Sequence, residues 1–340
     1  MKKLLLIDGN SLLHRAYHAL PPLTDRHGEM ANAVFGFSNM ILKAIGEIKP
    51  THIACAFDTA APTFRHIEFE KYKAQRKAPP PDLYPQLPKV KKVLDAFGIP
   101  YFEKEGYEAD DLLATLTVKS LSNVIAIRRK PEKQSQTKGK KIASSRTPRN
   151  DRVDQVIILS GDRDVLQLVD GNIKVQMPGW NLNQTSLYGA AEVREKFALE
   201  PHQMVDYKSL IGDLSDNIPG IAGIGPVTAA SLLHKFHTLE ELFAQLERNP
   251  GSLGNVAEKL KAGRDVAVAA KRLVELDRNV DIEFKVGDLN FNPDWEKVRR
   301  EYEDLGFKSI VSKLPGMNKE EVSKVSNVSN NNNEDQLKLI

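Results

Sequence analysis

The chain is poor in the residues that lock or anchor a fold from outside: one cysteine, two tryptophans and only 7% aromatics in 340 residues. A lone cysteine excludes a disulfide framework. Cys55, inside the apolar run "HIACAFD", reads instead as a small core residue of a reduced, cytoplasmic protein. No stretch approaches the roughly 18 to 20 apolar residues that cross a bilayer. "MKKLLLIDGN" reaches an Asp too early for a secretory signal. No segment repeats. The 41% hydrophobic content is enough for a sizeable core, in one large domain or two smaller ones.

Net charge is also nearly absent, at +3, but it is unevenly placed. Residues 128–150, "RRKPEKQSQTKGKKIASSRTPRN", hold nine Lys or Arg against one acid, so +8 sits in that segment and −5 in the rest. With so little apolar content the segment reads as a disordered basic insertion, either a solvated linker or an arm drawn to nucleic-acid phosphates. The tail, 317–340, is a second low-complexity stretch and also reads as disordered.

The remainder alternates. "KKLLLID", "HIACAFD", "IPYFEKE", "VIILSGD" and "IKVQ" have the character of short buried strands. "SLLHRAYHAL", "NAVFGFSNMILKAI", "ADDLLATLTVKSL" and "RDVLQLV" have helical spacing. This pattern predicts an α/β fold with a mostly parallel sheet flanked by helices over 1–180. Beyond it, "GAAEVREKF", "PHQMVDYKSLIG", "VTAASLLHKF" and "TLEELFAQL" predict a helical region over 181–316.

Three of the strands deliver an acid at their carboxyl ends: Asp8, Asp58, and Asp162 with Asp164. In open α/β sheets that edge is where ligands bind. "GYEADDLLATL" adds Glu108, Asp110 and Asp111 at a helix start, with Glu108 and Asp111 spaced to share a face. "GDLSDN" adds Asp213 and Asp216. Each group alone has a plain structural account as a cap, a turn or a solvated face. Gathered on one edge, they would raise one another's pKa values unless cations offset the charge. Oxygen donors without His or Cys suit Mg²⁺ or Mn²⁺. Two such ions about 4 Å apart can activate a water and stabilise the leaving oxygen of a phosphodiester.

The basic residues suit the same chemistry. "FRHIEFEKYKAQRKAPPPDLYPQLPKV" interleaves Arg65, Lys73, Arg76 and Lys77 with Phe64, Phe69 and Tyr72, either as a single-strand-binding surface or as an amphipathic helix that buries its rings. Arg15 lies two turns beyond Asp8. In "NIPGIAGIGPVTAASLLHKF", Gly223-Ile224-Gly225 opens a helix and can offer backbone N–H groups to a phosphate without reading sequence.

The motifs "LLLIDGNSLLHRAYHA", "YKAQR", "GYEADDLLA", "SGDRDVLQLV" and "GDLSDNIPGIAGIGPVTAA" resemble, in order, those of the 5′-nuclease (flap endonuclease) superfamily, and most of all the N-terminal 5′→3′ exonuclease domain of bacterial DNA polymerases I. The resemblance covers roughly residues 2–310. It implies a PIN-like core, a helical arch at about 65–98 and a helix-hairpin-helix region gripping duplex DNA. It implies a first metal site from Asp8, Asp58, Glu108, Asp110, Asp111 and Asp162, and a second from Asp164, Asp213 and Asp216. Two Mg²⁺ ions would fill them, with Mn²⁺ able to substitute, and a K⁺ ion would sit at the hairpin. Lys73 and Arg76 would hold the scissile phosphate, Tyr72 would be a stacking surface, and Arg15 and Lys208 would be auxiliary phosphate contacts. The implied activity is a monomeric 5′→3′ exonuclease and flap endonuclease of replication and repair. Its partners would be DNA with 5′ flaps, nicks or free 5′ ends, and RNA primer–DNA hybrids.

The chain departs from that pattern in three ways. Val227 stands where relatives often carry Lys, which predicts a weaker duplex grip. The insertion 128–150 has no counterpart. No polymerase domain follows, so the chain reads as either a stand-alone exonuclease or a fragment of a longer one, with the non-repetitive tail favouring the former. A catalytically silent junction-binding module would have lost carboxylates, and all nine are present; a PIN-type ribonuclease would lack the hairpin and "YKAQR". The terminal "QLKLI" is similar to a bacterial sliding-clamp-binding motif, with Gln336, Leu337, Leu339 and Ile340 as its anchors and Ile340 in place of the usual aromatic.

Overall fold

In a computed structural model the chain is described over residues 1–121, 152–179 and 184–316. The insertion 128–150, the tail 317–340 and the Gln336–Ile340 peptide lie outside the described residues.

The five apolar runs form parallel strands: β1 (Lys3–Asp8), β2 (His52–Ala56), β3 (Tyr101–Phe102), β4 (Gln155–Leu159) and β5 (Ile173–Pro178). An antiparallel β6 (Thr185–Tyr188) completes the order β3-β2-β1-β4-β5-β6. Both faces are covered, which is why the strands are apolar at every position rather than alternating. Leu5, Ile7, Ile157 and Leu159 face α1 (Gly9–Ala19), α2 (Asn32–Ile48) and α4 (Leu87–Phe97), the last of which follows a short α3 (Phe64–Glu68). Leu4, Leu6, Val156 and Ile158 face α5 (Ala109–Leu121) and the helical half.

That half contains α6 (Ala190–Phe197), α7 (Met204–Ile211), a two-residue ribbon of β7 (Gly212–Asp213) and β8 (Ile218–Pro219), then α8 (Pro226–Phe236), α9 (Leu239–Arg248), α10 (Ala257–Ala262) and α11 (Arg264–Val274). The expected division at 180/181 does not hold as packing. β6 belongs to the first sheet. α12 (Trp295–Asp304) and α13 (Lys308–Val311) return to the sheet's far face, where Val298, Tyr302 and Ile310 join the cluster around Leu5 and Ile7. A sheet buries both faces only if enough helices cover them, and α1, α2 and α4 share that face with the returning chain.

The span 65–98, expected as an arch, also divides. α4 buries Val90, Val93, Leu94 and Phe97 in the core, started by a Pro and stopped by Gly98 in the left-handed region. Ahead of it, α3 is five residues long and 70–75 are turns lying on the Asp216 loop, where the Lys73 N–H donates to the Asp216 carbonyl at 2.9 Å.

Candidate active site at the carboxyl edge of the sheet

Asp8 ends β1 and caps α1. Its carboxylate accepts the Ser11 N–H at 2.9 Å and the Ser160 hydroxyl at 2.5 Å, and the residue is buried. Gly9 makes this possible, since a Cβ there would lie 2.2 Å from the Phe57 ring, just before Asp58 at the end of the neighbouring strand. Burial pushes the Asp8 carboxyl up to about 7 against the pull of its two hydrogen bonds, with Asp58 and Asp162 adding to the rise. Asp58 stands at the solvent side and accepts the Ala109 N–H at the start of α5 (2.7 Å).

Asp110, in the first turn of α5, has a buried Oδ1 with no hydrogen-bond partner. Its pKa is raised well above the usual range by burial first, then by Asp8, Asp162, Asp164 and Asp58. Asp162 accepts the Asp164 N–H at 2.9 Å and donates its own N–H to Ser160 Oγ at 2.9 Å. Burial and then Asp162 push Asp164 up to about 7, although Lys208 is bonded to it. These mutual effects put Asp8, Asp58, Asp162 and Asp164, expected from the strand ends, in one electrostatic neighbourhood with Asp110 of the helix start.

The second group is differently made. Gly212 adopts φ 78° and a Cβ there would meet the Gly220 backbone at 2.5 Å, so only glycine lets β7 and β8 close and present Asp213. Asp213 accepts Lys208 Nζ at 2.6 Å and the Ser215 N–H and hydroxyl at 2.8 and 2.6 Å. Against a burial that would raise it, Lys208 and Ser215 draw its carboxyl down to about 2. Asp216 accepts from Arg76 and lies 3.8 Å from Lys73. Lys73 itself is held in the left-handed region (φ 54°), a conformation costing about 1 kcal/mol for a non-glycine residue, with its ammonium 2.6 Å from Glu108.

Several expected roles change. Asp111 leaves the ligand set: it is fully buried and both oxygens are taken by the Arg65 guanidinium at 2.7 and 2.8 Å. On α5 it turns inward while Asp110 turns to the cluster. Arg65, in the basic stretch expected as either a single-strand-binding surface or an amphipathic helix, is itself 1% exposed. Tyr72 is not a stacking surface here. It is buried among Val205, Ile218, Leu273 and Val274, with its hydroxyl 3.0 Å from both Glu108 and Asp216. Lys208, expected as an auxiliary phosphate contact, lies inside the acidic group, between Asp164 and Asp213. The Arg15 guanidinium donates to the Gly179 carbonyl. Ser11, Ser160 and Ser215, which orient the acids, were missed; their position one to three residues from an Asp is the signal that could have found them.

At the hairpin, Gly223 takes φ 78°, Ile224 is buried, and Gly225 caps α8 ahead of Pro226. The Gly223 carbonyl accepts Lys259 Nζ at 3.2 Å, and Val227 is 85% exposed.

Among the described residues, no three His, Cys, Asp or Glu side chains are already set around a point as metal ligands. The carboxylates are gathered but turned onto amides, serines and lysines. Their chemistry still fits a hard divalent cation: an all-oxygen donor set, with one buried oxygen lacking any partner and carboxyls pushed up by burial and by one another's charge.

Two family descriptions match the chain, the N-terminal resolvase-like domain of 5′-3′ exonucleases over residues 3–127 and their C-terminal SAM fold over 199–297. DNA polymerase I of Caldicellulosiruptor bescii is 39% identical over 317 residues, and that of Bacillus subtilis 35% over 314, each alignment covering 92% of this chain. The chain spans about a third of the length of these relatives (33% and 32%). A zinc-bound T5 5′-exonuclease superposes with TM-score 0.56 at 17% identity, covering 96% of this chain and 100% of the other. The catalytic core of Rad2 in complex with DNA substrate superposes with TM-score 0.55 at 16% identity, covering 96% and 91%. No helix among the described residues is long and apolar enough to cross a membrane. With the acid-bearing N-terminal domain and the hairpin-bearing C-terminal domain of one family following each other in a single chain, the protein belongs to the 5′-3′ exonuclease family.

Proposed function

We propose that the chain hydrolyses DNA phosphodiesters from free 5′ ends, nicks and 5′ flaps, leaving a 5′-phosphate and a 3′-hydroxyl. The observation that carries this reading is the uncompensated carboxylate cluster around the partnerless Asp110 Oδ1. Asp8, Asp58, Asp110 and Asp162, with Glu108 beside them, would hold one divalent cation, and Asp164, Asp213 and Asp216 a second. Bound there, Mg²⁺ or Mn²⁺ lowers the pKa of a water and neutralises charge on the leaving oxygen.

The residues of the chain do the rest. Ser11 and Ser160 fix the Asp8 carboxylate, so it is oriented before any ligand arrives. Lys73 and Arg76, on one turn of chain beside Glu108 and Asp216, exchange those carboxylates for the non-bridging oxygens of the scissile phosphate, where their charge is strongest as negative charge develops. Lys208 holds Asp164 and Asp213 together until cations replace it. The hairpin offers the N–H groups at Gly223 and Gly225 to a duplex phosphate away from the reacting strand, while the Ile224 N–H closes the turn on the Ile221 carbonyl at 3.0 Å. K⁺ at the hairpin, RNA–DNA hybrids as substrates, a monomeric cytoplasmic enzyme and clamp docking through Gln336–Ile340 belong to the same proposal.

The test is incubation with a 5′-labelled flap, a nicked duplex and an RNA–DNA hybrid, in Mg²⁺ and in excess EDTA. Cleavage at the single-strand/duplex junction that stops in EDTA supports the reading. Full cleavage in EDTA, cleavage of single-stranded RNA alone, or junction binding without cleavage would overturn it.

A further inference from the structure

Arg65 and Asp111 form the most deeply buried ion pair among the described residues, at 1% and 0% exposure. A buried pair is expensive to desolvate, and a well-packed apolar pair is often as stable, so its presence asks for a role. Its remaining bonds show what it joins. Arg65 Nε donates to the Leu273 carbonyl at 2.7 Å and Nη2 to the Glu275 carbonyl at 3.1 Å. Asp111 Oδ1 accepts the Asp277 N–H at 2.8 Å, and Oδ2 accepts the Glu108 N–H at 3.1 Å.

A third side chain grips the same strip. Gln167, three residues after Asp164, donates to the Val274 carbonyl and accepts the Leu276 N–H, both at 3.1 Å. The segment 273–277, where α11 of the helical half ends, is therefore bonded along alternate faces by three elements. They are the base of the arch (Arg65), the acidic helix (Asp111) and the turn after Asp162 and Asp164 (Gln167). Four of the five N–H groups of the guanidinium fork and both oxygens of the carboxylate, each twice, are used, which gives the joint one geometry.

Glu108 is where this geometry meets the site. Its backbone N–H is fixed by Asp111, and its carboxylate lies 3.7 Å from Arg65 while reaching Lys73 and Tyr72. We infer that Arg65, Asp111 and Gln167 are positioning residues: they lock the helical DNA-gripping half to the acidic edge and set Glu108 against Lys73, and neither Arg65 nor Asp111 touches phosphate or metal. The consequence for catalysis rests on the nuclease reading above; the coupling itself does not.

The experiment compares the full chain with Arg65→Gln, Asp111→Asn, their double variant, and Asp110→Asn as a ligand control. Urea unfolding should show both single variants strongly destabilised and the double variant less so than the sum, because each single change leaves an unpaired buried partner. Mn²⁺ titration followed by calorimetry should give Asp111→Asn an affinity within about threefold of wild type, while Asp110→Asn loses about tenfold or more. Under saturating enzyme and metal, Asp111→Asn should cleave a flap about 10- to 100-fold more slowly with flap affinity little changed. If these variants do not fold, Arg65→Lys keeps the charge but cannot make the fork and should still cleave about tenfold more slowly. Additive unfolding energies, Mn²⁺ loss in Asp111→Asn equal to that in Asp110→Asn, or a wild-type rate in Arg65→Lys would each overturn the inference. The unfolding cycle needs no substrate, so it reads the joint even in a chain that cleaves nothing.

Discussion

The two halves of the acidic edge are built on opposite electrostatic plans. Among the described residues no lysine or arginine is seen in hydrogen-bond contact with Asp8 or Asp110, and burial pushes both carboxyls up, Asp8 to about 7 and Asp110 well above the usual carboxylate range. Around Asp213 and Asp216 each carboxylate already has a cation, Lys208 on one and Arg76 on the other, and Asp213 falls to about 2. The first half gains most from protons or from a charge brought from outside. The second is satisfied by its own chain and must be opened before it binds anything. On the proposed reading the first half would be the resident cation site, and the second would be engaged together with substrate, as Arg76 and Lys208 turn to phosphate.

The sharpest way to break that contrast is to neutralise one residue of the first half. Asp110→Asn should reduce single-turnover cleavage by on the order of 10³-fold and yet leave the metal-free fold as stable as wild type or more so, since it removes one of several crowded like charges. Rapid-quench kinetics and urea unfolding in EDTA check both halves of that expectation; a destabilised variant with normal cleavage would reverse the account.

On the second half, Lys73→Ala should slow cleavage about 10²-fold while junction affinity changes little, because the ammonium meets charge that grows in the transition state. Equal losses in rate and in affinity, read by single-turnover cleavage and anisotropy, would make Lys73 a general phosphate contact.

The smallest effect concerns pH without metal. Asp8 and Asp164 have folded pKa values raised from 3.8 to about 7, so the folded state holds protons that the unfolded state releases. Stability in EDTA should therefore rise as pH falls from 7 to 5, by about 2 kcal/mol for each group. Asp213, depressed to about 2, loses its contribution only below the unfolded value near 3.8 and does not oppose the change in this window. Urea midpoints at pH 5, 6 and 7 read the slope, and saturating Mg²⁺ should flatten it.

Much of this was visible in one dimension because apolar strands of four or five residues that end in an acid leave little else for that acid to do than line the sheet edge. Asp8, Asp58, Asp162 and Asp164 were found that way, as were β1 to β5 and most helices. Glu108, Asp110 and Asp111 could not be separated, because helix spacing says which residues share a face and not which face turns to Arg65, 46 positions away from Asp111. The stretch carrying Arg65 and Tyr72 kept two readings for a related reason. An amphipathic basic stretch looks alike whether its rings and guanidinium meet solvent or meet Leu273, 208 residues further on from Arg65. The return of α12 and α13 to the sheet was equally hidden, since a short amphipathic helix carries no record of which distant surface it covers.

The central claim is that a divalent cation sits on the partnerless oxygen of Asp110. Anomalous diffraction from crystals soaked in Mn²⁺ tests it most directly. The account predicts a peak within coordination distance of Asp110 and Asp8, lost in Asp110→Asn crystals. A peak confined to the Asp213 and Asp216 side, or none in the wild type at saturating Mn²⁺, would contradict it.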